Sequence, residues 1–496
     1  MQGSGVSVLL VDLNNFTLYP TIPVGSITAA LRVNGHKVRL FSPLSAGVSG
    51  FRRQRRAKAG GHLVDQARFW SAMTHSGAVR KARQSLRRMI TPRSDQTRAR
   101  IAAAFDDALA DRPDVVLVSA YTLYRRVVAD LAASCAAQGI PLLVGGPYFN
   151  EPDIARLWLG EPGVTAVVAA EPEGFIAPLV EAAARGESLE KFPGVSVQPD
   201  AIKAAAPPLA EFGDVPVPDY SDFPWDAYPL RIVPIMTGRG CGWGACQFCS
   251  DVTTVMGRSF RSRKANRVLE EIGTLTARHC ARHMVFHDLK LNSDLSLWHE
   301  LLNNLPTIVE DPVWTCAVHT GLEQDNGLSR DELKAARAAG LARITTGLES
   351  GSQRVLNSMG KGMQVGRVAQ FCADATAADI SVRLTTIIGY PGETADDLRK
   401  TADFLERNGA NVERVMVNRF SVMLGTPIAK RMLQEPERFS AFTLGAADLD
   451  EAIVPYVNHG TRAPGYYNAL FSVLKAAHKI NRRPLNDHAM AFEGVM

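Results

Sequence analysis

Short apolar runs alternate with helical patterns over the first part of the chain. Apolar runs predict five strands, at 6–11, 37–41, 115–119, 142–144 and 164–169. Between the first two strands, the pattern over 23–33 predicts a helix, and Asn34-Gly35 predicts its end. Strands that alternate with helices are typical of a doubly wound parallel sheet. We therefore predict an α/β protein whose residues 1–195 form a Rossmann-like domain.

A second alternation begins after a proline-rich stretch. Prolines crowd between 203 and 234, and because proline excludes regular helix and central strand, residues 196–230 are predicted to be a linker. Six further strands are then predicted, at 232–237, 284–287, 314–318, 343–346, 381–388 and 412–420. Six strand–helix units predict a partial (β/α)6 TIM-like barrel over 231–430, with its chemistry at the C-terminal ends of the strands. Residues 431–496 are predicted to form a short, mainly helical C-terminal region.

The charge of the chain is concentrated in one segment. The 496 residues carry a net charge of +5, yet residues 51–100 contain 14 Lys or Arg against 2 Asp. We predict a basic helical insertion at 45–110, either as a solvated face or as a docking surface for an anionic substrate, a leader peptide or nucleic acid. Because few aromatic residues are interleaved with these charges, base stacking is disfavoured and we do not expect a nucleic-acid partner. A nucleic-acid or partner-binding protein stays open as a function of another class.

Cysteine usage and the first residues indicate the compartment. Three of the seven cysteines fall within nine residues and the others are scattered singly, which favours metal chemistry in a reducing cytoplasm over disulfides. The first apolar run lacks a preceding basic region and is interrupted by Asp12. We therefore expect a cytoplasmic protein that does not enter a membrane.

The three clustered cysteines follow the first predicted barrel strand in MTGRGCGWGACQFCSD, where Cys241, Cys246 and Cys249 are spaced C-x4-C-x2-C. A structural zinc site needs four ligands, and the next candidates lie about 30 residues further on. Three thiolates on a 4Fe-4S cluster would leave one iron open to another ligand. A zinc site and a chance grouping stay open as alternatives.

Together with TTGLESGSQRVLNSMGKG and LTTIIGYPGETADDL, this motif resembles the radical S-adenosylmethionine (radical SAM) superfamily, whose usual spacing, C-x3-C-x2-C, is one residue shorter. The resemblance implies a 4Fe-4S cluster bound by the three cysteines, with S-adenosyl-L-methionine as the second cofactor. It also implies that S-adenosylmethionine is contacted by Phe248, Asp288, Glu349, Ser350, Gly389 and Gly392. Alternatively, Glu349 is a surface carboxylate, and the second motif is a tight turn in which Thr394 caps the next helix.

The first domain contains PDVVLVSAYT, PLLVGGPYFNEP and AVVAAEPEGF, which resemble the cobalamin-binding domains of some radical SAM enzymes. The D-x-H-x-x-G motif is absent, and the usual Gly-Glu is Ala170-Glu171. The resemblance implies a cobalamin site beyond the strand ends, with a rim formed by Ser119, Tyr121, Thr122, Gly145, Gly146, Pro147 and Glu171. A Rossmann-like domain that binds only substrate or a partner is the alternative.

These resemblances imply a cobalamin-dependent methyltransferase. The expected reaction methylates an unactivated carbon of a natural-product or peptide substrate through a 5'-deoxyadenosyl radical and methylcobalamin. Rearrangement, cyclisation or epimerisation without methyl transfer is the alternative within the same superfamily. An electron donor such as flavodoxin or ferredoxin is expected as a partner. The sequence identifies neither the substrate nor a catalytic acid or base.

Overall fold

The computed structural model describes residues 5–13, 18–48, 93–210, 212–257, 259–321 and 328–495, with scattered positions between 67 and 82. Most of the basic segment 51–100 lies outside the described residues, so its predicted docking role stays a prediction. The segment's end belongs to the helix Arg93–Leu109. Within the described ranges, no helix combines the length and the apolar character that a membrane crossing requires.

The N-terminal domain is built on a six-stranded sheet whose strand order is β2-β1-β3-β4-β5-β6. The first five strands are parallel and β6 is antiparallel to β5. Their bounds are β1 (Ser7–Asp12), β2 (Lys37–Phe41), β3 (Val115–Ser119), β4 (Leu142–Gly145), β5 (Val164–Val168) and β6 (Val195–Ser196). The strands are almost wholly apolar because helices cover both faces of the sheet. Those helices are Ile22–Val33, Arg93–Leu109, Arg125–Ala137, Pro152–Leu159 and Ile176–Ala184.

The second domain is a six-stranded parallel sheet in the order β14-β13-β12-β11-β10-β7. A two-stranded ribbon of β8 (Gly238–Arg239) and β9 (Arg261–Ser262) follows its first strand. The sheet strands are β7 (Ile232–Ile235), β10 (His283–Phe286), β11 (Val313–Val318), β12 (Leu341–Glu349), β13 (Ser381–Ile388) and β14 (Arg414–Arg419). The covering helices are Ala265–Arg278, Leu295–Ile308, Arg330–Ala338, Gln353–Ser358, Val365–Ala377 and Ala395–Asn408. The predicted fold class, a Rossmann-like domain followed by a partial barrel, is confirmed.

The C-terminal region packs against the barrel. This region and the residues just before it contain the helices Pro427–Gln434 and Tyr466–Asn481 and four short strands, β15 (Val422–Met423), β16 (Phe442–Leu444), β17 (Ile453–Val454) and β18 (Tyr456–Asn458). The sequence pattern did not predict these strands, nor β6, β8 and β9, because two or three residues are too few to show a period.

The last described residues close the N-terminal end of the barrel. Near the starts of β12 and β13, Arg343 donates to the Phe492 carbonyl at 2.9 Å and Arg383 to the Val495 carbonyl at 2.6 Å. At the start of β14, Arg414 pairs with Glu493 at 3.2 Å. Buried guanidinium groups need acceptors, and the tail supplies them.

Candidate cofactor site

The three clustered cysteines lie on one loop, which we call the cysteine loop (residues 240–260). The β8/β9 ribbon forms its neck, where Arg239 lies opposite Arg261. Asp288, just beyond β10, fixes the start of the ribbon by accepting hydrogen bonds from Thr237 N at 3.1 Å, Thr237 Oγ1 at 2.7 Å and Gly238 N at 2.8 Å. Burial raises the pKa of Asp288 to about 6 although these hydrogen bonds oppose the shift. Asp288 was predicted to contact S-adenosylmethionine, and in the structure its carboxylate holds the ribbon.

All three cysteine side chains are partly buried and carry free thiols. Burial raises the pKa of Cys246, and it raises the pKa of Cys249 to about 12 with help from the negative charge of Asp251. In the described part of the chain, no three His, Cys, Asp or Glu side chains converge as ligands of a single metal ion. A 4Fe-4S cube instead takes each thiolate on a different iron atom, so three spaced sulfurs suit it. The thiols must lose their protons when they ligate.

A buried ion pair lies beside the cysteines. Glu349 ends β12 with a left-handed backbone (φ +56°), and Lys361 Nζ donates to its Oε1 at 2.9 Å. Thr385 Oγ1 is 3.3 Å from both carboxylate oxygens. Lys361 Nζ also lies 5.8 Å from the ring of Phe248. Burial by itself lowers the pKa of Lys361, but Glu349 and the nearby Cys246 raise it above its ordinary value. Glu349 therefore lies in a buried, charged site rather than on the surface.

The sequence pattern did not predict Lys361 as a residue of the site. It lies between two glycines with left-handed backbones, Gly360 (φ +65°) and Gly362 (φ +64°), in a turn that contacts the cysteine loop. Trp243 Nε1 donates to the Gly360 carbonyl at 2.9 Å, and His319 Nε2 lies 2.7 Å from the Lys361 carbonyl. The sequence does contain a signal that could have identified this residue: it is a lysine between two glycines, shortly after the glutamate that ends a strand.

The other residues predicted to contact S-adenosylmethionine lie in two turns. Ser350 Oγ accepts from Ser352 N at 3.1 Å, so its hydroxyl is engaged within its own turn. Gly389 and Gly392 both have left-handed backbones, with φ of +78° and +81°. Thr394 caps the helix Ala395–Asn408 in a capping box, as the alternative interpretation of that motif predicted.

A residue between those glycines and the helix is also distinctive. Glu393 is buried, and its Oε2 accepts from Gly389 N at 2.6 Å and from the hydroxyl of Tyr466 at 3.3 Å. Among the residues that the structure describes, its Oε1 has no hydrogen-bond partner. Burial raises the pKa of Glu393 to about 8. The carboxyl is therefore protonated at neutral pH. It stabilises the turn at Gly389 by accepting the hydrogen bond from the Gly389 backbone N–H.

The predicted cobalamin rim lies at the C-terminal edge of the N-terminal sheet. The strand order places a topological switch point between β1 and β3, where ligands of such sheets bind. Just beyond β3, Tyr121 and Leu123 are 38% and 64% exposed, so this edge presents apolar surface. Ser119 is the last residue of β3, and Thr122 lies in the turn that follows it. A Cβ on Gly146 would come closer than 3.0 Å to the Ala120 carbonyl, so this glycine lets the turns after β3 and β4 meet.

The same edge contacts the cysteine loop. Val255 N donates to the Pro147 carbonyl at 3.2 Å, and Asn150 Nδ2 donates to the Thr253 carbonyl at 2.6 Å. Between them, Tyr148 forms a side-chain hydrogen bond with Ser250, the residue after Cys249. The edge predicted to bind cobalamin and the loop predicted to bind the cluster are therefore direct neighbours.

Glu171 occupies a different place from the rest of the rim. Arg261 donates to both of its carboxylate oxygens, at 2.6 and 2.7 Å, and Arg239 lies 3.1 Å away. Burial alone raises the pKa of Glu171, but the hydrogen bonds from Arg261 and the charge of Arg239 bring it below its ordinary value. The carboxylate predicted to line a cofactor rim is engaged with two arginines of the barrel.

Comparison with known proteins identifies the superfamily of the second domain. Residues 235–405, from the last residue of β7 to most of the helix after β13, match the model of the Radical SAM superfamily, so this part of the chain is a radical SAM domain. A 4Fe-4S cluster and S-adenosylmethionine are the cofactors that this domain implies. The chain is 26% identical over 304 residues to an uncharacterized methyltransferase of Pyrococcus horikoshii, covering 60% of this chain and 64% of that protein.

Two solved structures share the fold of nearly the whole chain. The cobalamin-dependent S-adenosylmethionine radical enzyme OxsB, with aqua-cobalamin bound, aligns with a TM-score of 0.68 and 18% identity over 91% of this chain and 64% of OxsB. The radical S-adenosylmethionine methyltransferase TsrM from Kitasatospora setae, with cobalamin and a 4Fe-4S cluster bound, aligns with a TM-score of 0.65 and 15% identity over 95% of this chain and 91% of TsrM. This chain thus spans about two thirds of the length of OxsB and of the Pyrococcus protein.

Proposed function

We propose that the protein is a cobalamin-dependent radical SAM methyltransferase that methylates an unactivated carbon of a small-molecule or peptide substrate. One observation carries the proposal: the C-terminal edge of the N-terminal sheet is hydrogen-bonded to the residues that follow Cys249. A cofactor at that edge would face a cluster on the cysteine loop. The fold shared with OxsB and TsrM and the similarity to the Pyrococcus methyltransferase support the same function.

The residues of the barrel suit their proposed cofactors. Cys241, Cys246 and Cys249 would hold the cluster, and when bound it supplies the electron that cleaves S-adenosylmethionine reductively. Lys361 and Glu349 place one positive and one negative group beside these cysteines. A zwitterionic amino-acid group, such as the methionyl end of S-adenosylmethionine, is held well by such a pair.

The C-terminal edge of the N-terminal sheet suits a large planar cofactor. Tyr121 and Leu123 offer exposed apolar surface beyond β3, and Gly146 allows the turns to pack closely beneath it. When bound there, cobalamin supplies a methyl carrier close to the barrel mouth. The proposed rim residues Ser119, Tyr121, Thr122, Gly145, Gly146 and Pro147 include no histidine, so this set offers no imidazole ligand for cobalt. A one-electron donor such as flavodoxin or ferredoxin and a cytoplasmic location belong to the same proposal.

The test is anaerobic purification from cells supplied with cobalamin. We expect an absorption spectrum with corrin bands and a broad iron–sulfur shoulder, and deoxyadenosine formation when S-adenosylmethionine and a reductant are added. Replacing Cys246 by Ala removes the shoulder and the deoxyadenosine while the corrin stays bound. Replacing Cys280, an exposed cysteine outside the loop, is the matched control and changes neither. Protein that binds iron but no corrin would refute cobalamin dependence and leave the radical SAM assignment intact.

A further inference from the structure

Four charged side chains from the two domains meet at the neck of the cysteine loop. Glu171 and Glu173 lie in the turn after β5 of the N-terminal sheet, and Arg239 and Arg261 face each other across the β8/β9 ribbon. Arg239 pairs with Glu171 at 3.1 Å and with Glu173 at 2.5 Å, while Arg261 holds both oxygens of Glu171. We call these four side chains the interdomain clamp.

The clamp is buried and electrically balanced. The side chains of Glu171 and Arg239 are 0% and 3% exposed. Two carboxylates and two guanidinium groups sum to zero charge, which a buried site requires. The linker completes the enclosure, because the Arg239 guanidinium lies 4.3 Å from the centre of the Phe212 ring and Leu209 N donates to Glu171 at 2.9 Å.

The cysteine loop is therefore fixed to the N-terminal domain in two places, at its neck and within the loop. The clamp holds the neck, and the contacts of Pro147, Tyr148 and Asn150 hold the residues that follow Cys249. Asp288 fixes the same ribbon to the barrel. Binding a cluster requires only the three cysteines of the loop. It does not account for these connections to the N-terminal domain.

We propose that Glu171, Glu173, Arg239 and Arg261 are positioning residues that set the separation between the cluster on the cysteine loop and the cofactor edge of the N-terminal sheet. The proposal assigns Glu171 to the clamp instead of to the cobalamin rim. Its second half, concerning the cofactor edge, rests on the proposed function. The clamp itself rests on the contacts alone.

Hydrogen–deuterium exchange of the full chain tests the clamp without any cofactor. Arg239→Met combined with Glu173→Gln removes one charge of each sign and leaves the Arg261–Glu171 pair in place. We expect amides 238–262 to exchange at least tenfold faster than in the parent, with β11, β12 and β13 unchanged, because local opening becomes easier. Glu173→Gln alone, which removes only the contact to Arg239, shows a smaller increase in the same peptides. The control combines Lys334→Met with Asp331→Asn at an exposed pair and changes nothing there.

A spectroscopic distance tests the positioning. After reconstitution with iron, sulfide and cobalamin, the dipolar coupling between the reduced cluster and cob(II)alamin gives their separation. We expect one narrow distance in the parent and the control and a broadened distribution in both clamp variants. Unchanged exchange at 238–262, or faster exchange that extends to β11–β13, overturns the proposal. If the parent binds no corrin, the proposed function fails while the exchange result still decides the clamp.

Discussion

Replacing Lys361 by Met should destabilise the barrel strongly, because it leaves the buried Glu349 carboxylate without its cation. Glu349 is only 5% exposed, and Thr385 would be its remaining side-chain donor among the described residues. Breaking one partner of a buried ion pair costs about 3–5 kcal/mol. With a urea m-value of about 2–3 kcal/mol/M, the midpoint of barrel unfolding should fall by about 1–2.5 M.

A double variant distinguishes the loss of the charge pairing from the effect of changing the side chain at position 361. Lys361→Met with Glu349→Gln removes both charges, and replacing a buried pair by neutral groups is often close to neutral. We therefore expect the double variant to recover most of the loss, in urea unfolding followed by circular dichroism at pH 7. Lys334→Met, at an exposed pair with Asp331, is the control and leaves the midpoint unchanged. If the double variant is as unstable as the sum of its two singles, the charges are not coupled and the reasoning is refuted.

Three further predictions concern other parts of the molecule. Because burial raises the pKa of Glu393 to about 8, its stabilisation is complete below pH 4.5 and is lost as the pH rises to about 8, by about 1.4 kcal/mol per pH unit. Glu393→Gln should flatten this slope in urea titrations and exposed Glu270→Gln should not; equal slopes would contradict the prediction. Phe492→Ala removes a fully buried ring beneath the barrel and should cost about 3–5 kcal/mol in urea unfolding, and a loss below about 1 kcal/mol would mean that the tail does not close the barrel. Gly146→Ala should lower the thermal midpoint because its Cβ would meet the Ala120 carbonyl, whereas Gly213→Ala, whose Cβ would meet no described atom within 4 Å beyond its chain neighbours, should not; equal midpoints would argue against the close approach.

Much of the architecture could be predicted from local pattern. The strands β2, β3 and β13 have the predicted bounds, since a continuous apolar run between turn residues suffices to define a buried parallel strand. The end of the first helix at Asn34-Gly35 and the capping box at Thr394 follow from residues within one turn of the chain. Cys241, Cys246 and Cys249 are close in sequence and could therefore be recognised together.

The arrangement of the charged residues was decided by tertiary structure. Glu171 was placed at a cofactor rim because it follows a strand, yet its partner Arg261 lies 90 positions away and belongs to the other domain. Lys361 and Asp288 likewise acquire their roles from turns brought together by the barrel. The sequence determined which segments form strands, helices and the cysteine motif, because those depend on periodicity and short spacing. Only the packed fold decided which buried charges meet, because a buried charge takes whichever opposite charge the topology brings within reach.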